Sequence, residues 1–244
     1  MARIPKRPDE IFDEFTADYQ KVYGEDLVSI ILYGSGARGE YVRGISDLNF
    51  LIVLVEASIG QLTKAIPLIS KWKKRNVAPP LFLTTAYIAS SLDTFPIEFL
   101  DMQAAYQTVF GDDVLTGLSY DDANLRLQCE RELRGKLLHL RQAYLDIAGQ
   151  ERELRILARR SMTTFASIFR GLLTLQRIPV PIERQKIFLK TAEVFGFDNE
   201  VFQKLGTWCA GETKLTSEEE RVALFRQYVE QIDRLIDTVD GWKR

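Results

Sequence analysis

The sequence contains few residues that bind soft metals and has no long apolar run. It has one histidine, His139, and two cysteines, Cys129 and Cys209, which are far apart and form no Cys-x-x-Cys motif. These residues exclude a zinc site built from thiolates and imidazoles. No stretch of about 18 apolar residues occurs, and the first ten residues lack the apolar core of a secretory signal. We therefore expect a cytoplasmic protein that makes no contact with a membrane.

An excess of positive charge is also missing. The formal net charge is -2, so the chain has no global positive field to hold nucleic acid or an anionic membrane. The basic segments KWKKR (71–75), RELRGKLLHLR (131–141) and RELRILARR (152–160) favour solvated helix faces, and the last two carry their basic residues among glutamates. Nucleic acid is therefore not the expected partner, and any bound metal is expected to be a hard cation held by oxygen atoms.

The first half of the chain alternates helical and extended patterns. Residues 8–23 and 59–75 show helical spacing, and Gly24 is expected to end the first helix. β-branched apolar runs predict buried strands at 27–34 and 46–56. Three more extended segments are predicted in APPLFLTT, PIEFLDMQ and YQTVFGDD. This order predicts a small mixed sheet with flanking helices, in the α+β class.

The second half is predicted to be helical. From about residue 121 its apolar residues recur at steps of three and four, as in Leu133, Leu137 and Leu140. Thr216 and Glu219 are expected to form the capping box of the last helix. Without a Gly/Ser linker, the chain is expected to comprise two closely packed domains, residues 1–118 and residues 119–244.

Chemistry is expected where the first strand ends. Gly34, Ser35 and Gly36 form a turn that presents backbone N–H groups to an anion. Asp47 and Asn49 follow on the second strand, where the period of two places both on one face. On a later strand, Glu98 and Asp101 are separated by an odd number, so only one of them is expected to join Asp47, and Asp101 is expected at the surface.

These residues resemble the nucleotidyltransferase superfamily, whose signature is Gly-Ser, then Asp-x-Asp, and a third acid on a later strand. The superfamily includes the aminoglycoside adenylyltransferases, in which a helical domain follows the nucleotidyltransferase fold. The resemblance covers roughly residues 8–115. It is carried by Gly34, Ser35, Ala37, Arg38, Gly39, Glu40, Ser46 and Asp47, with FPIEFLD and FGDDVL in the expected places.

The resemblance implies a Mg²⁺-dependent transfer of a nucleoside monophosphate, AMP from ATP, to a hydroxyl group of a small molecule or a protein. It implies that Gly34 and Ser35 hold the triphosphate, that Asp47 and residue 49 bind one or two Mg²⁺ ions, and that Glu98 binds metal or acts as a base. Arg38 and Arg43 flank this site, where they could touch phosphates or pair with Glu40 or Asp47.

Asn49 departs from the signature, because the second acid is an amide. When a carboxylate about 4 Å from a cation is replaced by an amide, the electrostatic attraction between the two unit charges is lost. This attraction is about 4 kcal/mol at an effective dielectric constant near 20, before the change in solvation reduces it. Asn49 has an alternative interpretation, a side chain that satisfies a neighbouring backbone group, and Glu98 could be a surface acid. Two other functions therefore stay open: a catalytically impaired nucleotide-binding or regulatory protein, and an interaction module of the toxin–antitoxin type.

Overall fold

The structure is a computed structural model that describes residues 3–147 and 150–242. The chain divides into two compact units. The first comprises the described residues up to Asp93 together with Phe99–Ser119, and the second comprises Thr94–Glu98 together with the described residues from Tyr120 onward. The first unit contains a mixed sheet with helices and the second is helical, so the predicted α+β class is confirmed.

A four-stranded sheet with the strand order β3-β2-β1-β4 forms the framework of the first unit. The central strand β1 pairs antiparallel with both β2 and β4, whereas β2 and β3 are parallel, so the sheet is mixed as predicted. Both central strands are apolar and almost entirely buried, which is why they read as continuous hydrophobic runs. The strands are β1 (Leu27–Tyr33), β2 (Asn49–Leu54), β3 (Leu81–Leu83) and β4 (Tyr106–Gly111).

Helices precede, connect and follow these strands. The first helix begins with a 3-10 turn and ends at Gly24, as predicted. The single helix predicted over 59–75 is divided in two, because Pro67 has no N–H to donate and its ring crowds the preceding turn. The α-helices are α1 (Phe12–Tyr23), α2 (Ile59–Lys64), α3 (Ile66–Lys73), α4 (Thr85–Ser90) and α5 (Pro96–Ala104).

The segment PIEFLDMQ is helical, so its predicted assignment to a strand is wrong. Its apolar residues are too closely spaced to distinguish a period of two from a period of 3.6. Two helix-start features decide the outcome: Pro96 occupies the first position, where a missing N–H costs nothing, and Glu98 lies in the first turn at the positive end of the helix dipole.

An aromatic core holds α1 and α3 against one face of the sheet. Phe15 on α1 stacks on Phe50 of β2 with ring centroids 4.2 Å apart, and Trp72 of α3 meets Phe15 edge-on at 5.0 Å. Alternate strand residues, including Ile30, Leu32 and Phe50, contribute to this same buried cluster. The face of β2 that carries Asn49 is therefore the opposite one.

The second unit buries an aromatic cluster, and its predicted helical character is confirmed. Phe169 packs on Phe188 at 4.7 Å between ring centroids, and Tyr228 shares a hydrogen bond with the buried Ser161 hydroxyl at 3.1 Å between their oxygens. The helices are α6 (Asp122–Asp146), α7 (Glu151–Leu175), α8 (Arg184–Phe195), α9 (Asn199–Ala210) and α10 (Glu218–Asp240). Within the described residues, no helix is long and apolar enough to cross a membrane.

The capping box of α10 lies one residue later than predicted. Ser217 is the cap and its hydroxyl accepts from the Glu220 N–H at 3.1 Å, while the Glu220 carboxylate accepts from the Thr216 N–H at 3.0 Å. The prediction of Thr216 with Glu219 is wrong because the run TSEEE satisfies the S/T-x-x-E pattern in two registers.

Phe15→Ala is expected to lower the free energy of unfolding by about 3–5 kcal/mol, because it removes a fully buried ring from the aromatic core between α1, α3 and the sheet. Chemical denaturation monitored by tryptophan fluorescence measures the loss. Phe12→Ala is the matched control on the same helix, since Phe12 is only half-buried and meets Phe50 at 6.4 Å. Equal losses in the two variants would contradict the described packing.

Candidate functional site

A tight glycine turn follows β1. Gly34–Gly36 form one turn of 3-10 helix, and the N–H groups of Ala37 and Arg38 both donate to the Gly34 carbonyl, at 3.1 and 3.0 Å. The Glu40 N–H donates to the Ser35 carbonyl at 3.0 Å. Tyr33, the last residue of β1, precedes the turn and provides no side-chain cap for its N-terminus. The predicted turn is therefore present, and its half-buried Ser35 hydroxyl lies within it.

Asn49 lies directly against this turn. Gly34 has φ +75°, a left-handed conformation that side chains other than glycine rarely adopt, and a Cβ at this position would lie 3.2 Å from the Asn49 amide nitrogen. The contact follows from strand pairing, because Tyr33 at the end of β1 is opposite Asn49 at the start of β2. The structure thus brings Gly34 and Asn49, two of the candidate site residues, into contact.

Asp47 is held just before β2 by its neighbour. The Leu48 N–H donates to the Asn76 carbonyl at 2.8 Å, and the Leu48 carbonyl accepts from the Ala78 N–H at 3.0 Å. Leu48 is fully buried, while Asp47 is exposed and Asn49 is half-buried. The alternation of exposure is the one predicted, and it places a solvated carboxylate two residues before the amide that contacts Gly34.

A row of polar side chains crosses the sheet at this level. Tyr33 pairs with Asn49 on one side and with Tyr106 on the other, and directly paired residues of antiparallel strands share a face. Burial raises the pKa of the Tyr33 hydroxyl, so this phenol stays protonated at neutral pH. The two tyrosines did not figure in the sequence-based site, because their position depends on the register between strands.

Arg38 is held by carboxylates. Its Nε lies 3.7 Å from Glu40 Oε2 and its Nη1 lies 3.6 Å from Asp101 Oδ1, and the side chain is 16% exposed. Nη1 is buried and makes no hydrogen bond of its own, so Asp101 neutralises it by charge at a distance slightly too long for a hydrogen bond. The pair with Glu40 was one of the expected alternatives. Asp101, expected at the surface, is instead half-buried.

Arg43 fastens its loop to the N-terminal segment. Its Nε donates to the Ile4 carbonyl at 3.2 Å, and the nearby Tyr41 hydroxyl donates to the Pro5 carbonyl at 3.0 Å. Arg43 is exposed. Arg43 therefore connects this loop to the N-terminal segment, which the sequence did not indicate. Phosphate contacts by Arg38 or Arg43 stay predictions.

Glu98 occupies the first turn of α5 and belongs to the second unit. Its residue is exposed, yet its Oε2 accepts from the amide nitrogen of the buried Gln128 at 2.7 Å. It is therefore more than the isolated surface acid of the alternative interpretation. Its grouping with Asp47 stays a prediction.

Asp47 and Asn49 are the predicted metal ligands, and their oxygen atoms could hold a hard cation only together with other ligands. Among the described residues, no three aspartate, glutamate, histidine or cysteine side chains cluster closely enough to hold a metal. Mg²⁺ is commonly held by one or two carboxylates and completes its shell with water and substrate phosphates. The Asp47 carboxylate and the Asn49 amide oxygen suit such an ion, whereas a second ion bridged by an uncharged amide does not fit.

Comparison with known proteins shows which solved structures have a similar fold. No protein-family model matches the chain, and no curated protein matches its sequence. Among solved structures, it is similar to the spectinomycin adenyltransferase AAD(9) from Enterococcus faecialis, determined with ATP and spectinomycin. The TM-score is 0.55 at 12% sequence identity, over 92% of this chain and 99% of that one. At this identity the likeness concerns the fold, and it confirms the expected nucleotidyltransferase-type fold followed by a helical region.

Gly34→Ala is expected to destabilise the protein more than Gly39→Ala. Both positions have left-handed φ, +75° and +77°, which costs other residues about 1–2 kcal/mol, but a Cβ at Gly39 meets nothing within 4 Å. Crowding against Asn49 adds about 1 kcal/mol at Gly34. The free energies of unfolding of the two variants measure the difference.

Asn49→Ala combined with Gly34→Ala is the companion test, because it removes the amide that the new methyl group would meet. The additional loss should then disappear. If it persists in the double variant, Asn49 is not what Gly34 accommodates.

Proposed function

We propose that this protein is a nucleotidyltransferase that transfers a nucleoside monophosphate, AMP from ATP, to a hydroxyl group of a small-molecule or protein acceptor. The observation that carries the proposal is the contact of the Gly34 turn with Asn49, two residues after the exposed Asp47. The proposal is also supported by the fold, which is similar to that of a spectinomycin adenyltransferase whose structure was determined with ATP and spectinomycin.

The first unit provides the nucleotide-binding residues in this proposal. The Gly34–Ser35 turn holds the phosphates in this proposal through its backbone and through the Ser35 hydroxyl, which donates to them. The ion pairs of Arg38 with Glu40 and Asp101 hold the turn in place, so little reorganisation is needed when the triphosphate binds. Tyr33 and Asn49 are paired on the sheet directly beside this turn.

Asp47 and Asn49 would hold one Mg²⁺ that arrives with the nucleotide. When bound, the ion neutralises charge on the phosphates and orients the α-phosphorus toward the attacking oxygen. Because Asp47 is exposed, its carboxylate would be accessible to an ion that still carries part of its water shell. Glu98 accepts the proton of the acceptor hydroxyl in this proposal, as a general base.

Asp47→Ala should abolish transfer while leaving the fold intact, because an exposed side chain contributes little to packing. We expect a loss of about 100-fold or more in pyrophosphate release from ATP with Mg²⁺, measured across a panel of hydroxyl-bearing acceptors. Glu56→Ala is the matched control, since Glu56 is also exposed and follows the opposite end of β2. Equal activity in Asp47→Ala and wild type would reject the assigned role of Asp47.

A second candidate function, nucleotide binding without transfer, is favoured by the uncharged Asn49. Asn49→Asp is expected to tighten Mn²⁺ binding in the presence of a non-hydrolysable ATP analogue by tenfold or more. The reason is that a carboxylate near the cation adds about 4 kcal/mol of attraction before solvation discounts it. Titration calorimetry measures the change, and Asn49→Ser is the neutral control.

The same variant separates the two functions. If wild type binds ATP but releases no pyrophosphate with any acceptor while Asn49→Asp does, the binding function holds and the transferase proposal fails. Unchanged Mn²⁺ affinity in Asn49→Asp would show instead that residue 49 does not face the cation.

A further inference from the structure

We propose that Gln128 of α6 is a positioning residue that fixes the Glu98 carboxylate for its role as general base, an inference that rests on the proposed function. The Gln128 side chain is buried, with 4% of the residue exposed. Its Oε1 accepts from the Ile97 N–H at 2.8 Å, and its Nε2 donates to Glu98 Oε2 at 2.7 Å. One buried amide therefore holds both the backbone at the start of α5 and the carboxylate that follows it.

The chemistry of the two partners fixes the orientation of this amide. A backbone N–H only donates and an ionised carboxylate only accepts, so the carbonyl end of Gln128 must face Ile97 and the NH₂ end must face Glu98. A glutamate at position 128 could satisfy Ile97 but would repel Glu98. The site thus requires a glutamine for a reason that packing alone does not provide.

Close helix packing keeps Gln128 in place. Its neighbour Cys129 is fully buried, and a Cβ on Gly171 of α7 would lie 2.8 Å from the Cys129 sulfur and 3.7 Å from Ile97 Cγ1. The absence of a side chain at Gly171 therefore lets α7 approach both α6 and the first turn of α5. Because this packing leaves little room to shift, the Gln128 amide is a rigid support for Glu98.

Glu98 combines this support with exposure. A solvent-exposed glutamate ordinarily samples many rotamers, and here a buried donor restricts one oxygen while the residue stays accessible. A general base must be held within hydrogen-bonding reach of the proton that it takes, so restricting its rotamers serves the reaction and not only the fold.

The test is a cycle of three variants, each measured by melting temperature and by steady-state kinetics with ATP. Gln128→Glu sets two carboxylates against each other and should lower Tm by about 4–8 °C and kcat by about 10–100-fold, with KM for ATP unchanged. Glu98→Gln should keep Tm near wild type, because its carbonyl oxygen accepts from Gln128, and should lower kcat by about 100-fold or more.

The reversed pair, Gln128→Glu with Glu98→Gln, distinguishes support of the fold from support of the reaction. A glutamine at position 98 donates to the glutamate at position 128, which still accepts from Ile97, so Tm should recover. Because the acid now lies in the wrong place, kcat should stay low. Recovery of both Tm and kcat would overturn the proposal, since the location of the carboxylate would then not matter.

Gln231→Glu is the matched control on α10. Gln231 is also buried, with 7% exposed, and its Oε1 accepts from the Asp198 N–H at 3.4 Å at the start of another helix. We expect this variant to leave kcat unchanged, whatever its effect on Tm. A loss of kcat equal to that of Gln128→Glu would overturn the specific role of Gln128. The proposal would also be overturned if the Tm change of the double variant at positions 98 and 128 equalled the sum of the two single changes.

The two measurements also separate this inference from the proposed function. If wild type releases no pyrophosphate with any acceptor, the proposed function fails and the catalytic role of Gln128 fails with it. Coupling in the Tm cycle would then still report the Gln128–Glu98 hydrogen bond. If wild type is active and the cycle shows no coupling, only the role of Gln128 fails.

Discussion

The antiparallel register between β1 and β2 is the constraint on which the candidate site depends. Tyr33 is paired with Asn49 and Leu32 with Phe50, so the polar residues and the aromatic core lie on opposite faces. A slip of one residue would turn Asn49 toward the rings of the α1 core and Phe50 toward the glycine turn. Burial of Phe50 against Phe15 therefore fixes the position of the candidate nucleotide-binding residues, although neither ring belongs to them.

The same register gives a physical reason for an amide at position 49. Asn49 is half-buried and lies against Gly34, where a carboxylate would lose part of its hydration whenever no cation is bound. The exposed Asp47 does not carry this cost. Under the proposed function, one charge and one neutral oxygen would suit a cation that binds and leaves with the nucleotide better than a permanently bound pair of ions.

Local pattern was sufficient for much of the fold and for the positions of Gly34 and Asn49, whereas their roles stay predictions. Continuous apolar runs identified β1 and β2, helical spacing identified the second unit, and Gly34 with Asn49 followed from turn chemistry and strand alternation. The prediction of a strand at PIEFLDMQ was wrong, because a short apolar run is compatible with both periods and Pro96 begins a helix there. The hydrogen bonds of Gln128 and the ion pair of Arg38 with Asp101 join residues distant in sequence, so no local pattern indicated them.

The most direct test of the central claim is a crystal structure of the protein with a non-hydrolysable ATP analogue and Mn²⁺, in which anomalous scattering locates and counts the cations. We predict one Mn²⁺ bound by the Asp47 carboxylate and by the triphosphate, with phosphate oxygens on the Gly34–Ser35 turn. A triphosphate bound elsewhere on the chain, with Asp47 uninvolved, would contradict it.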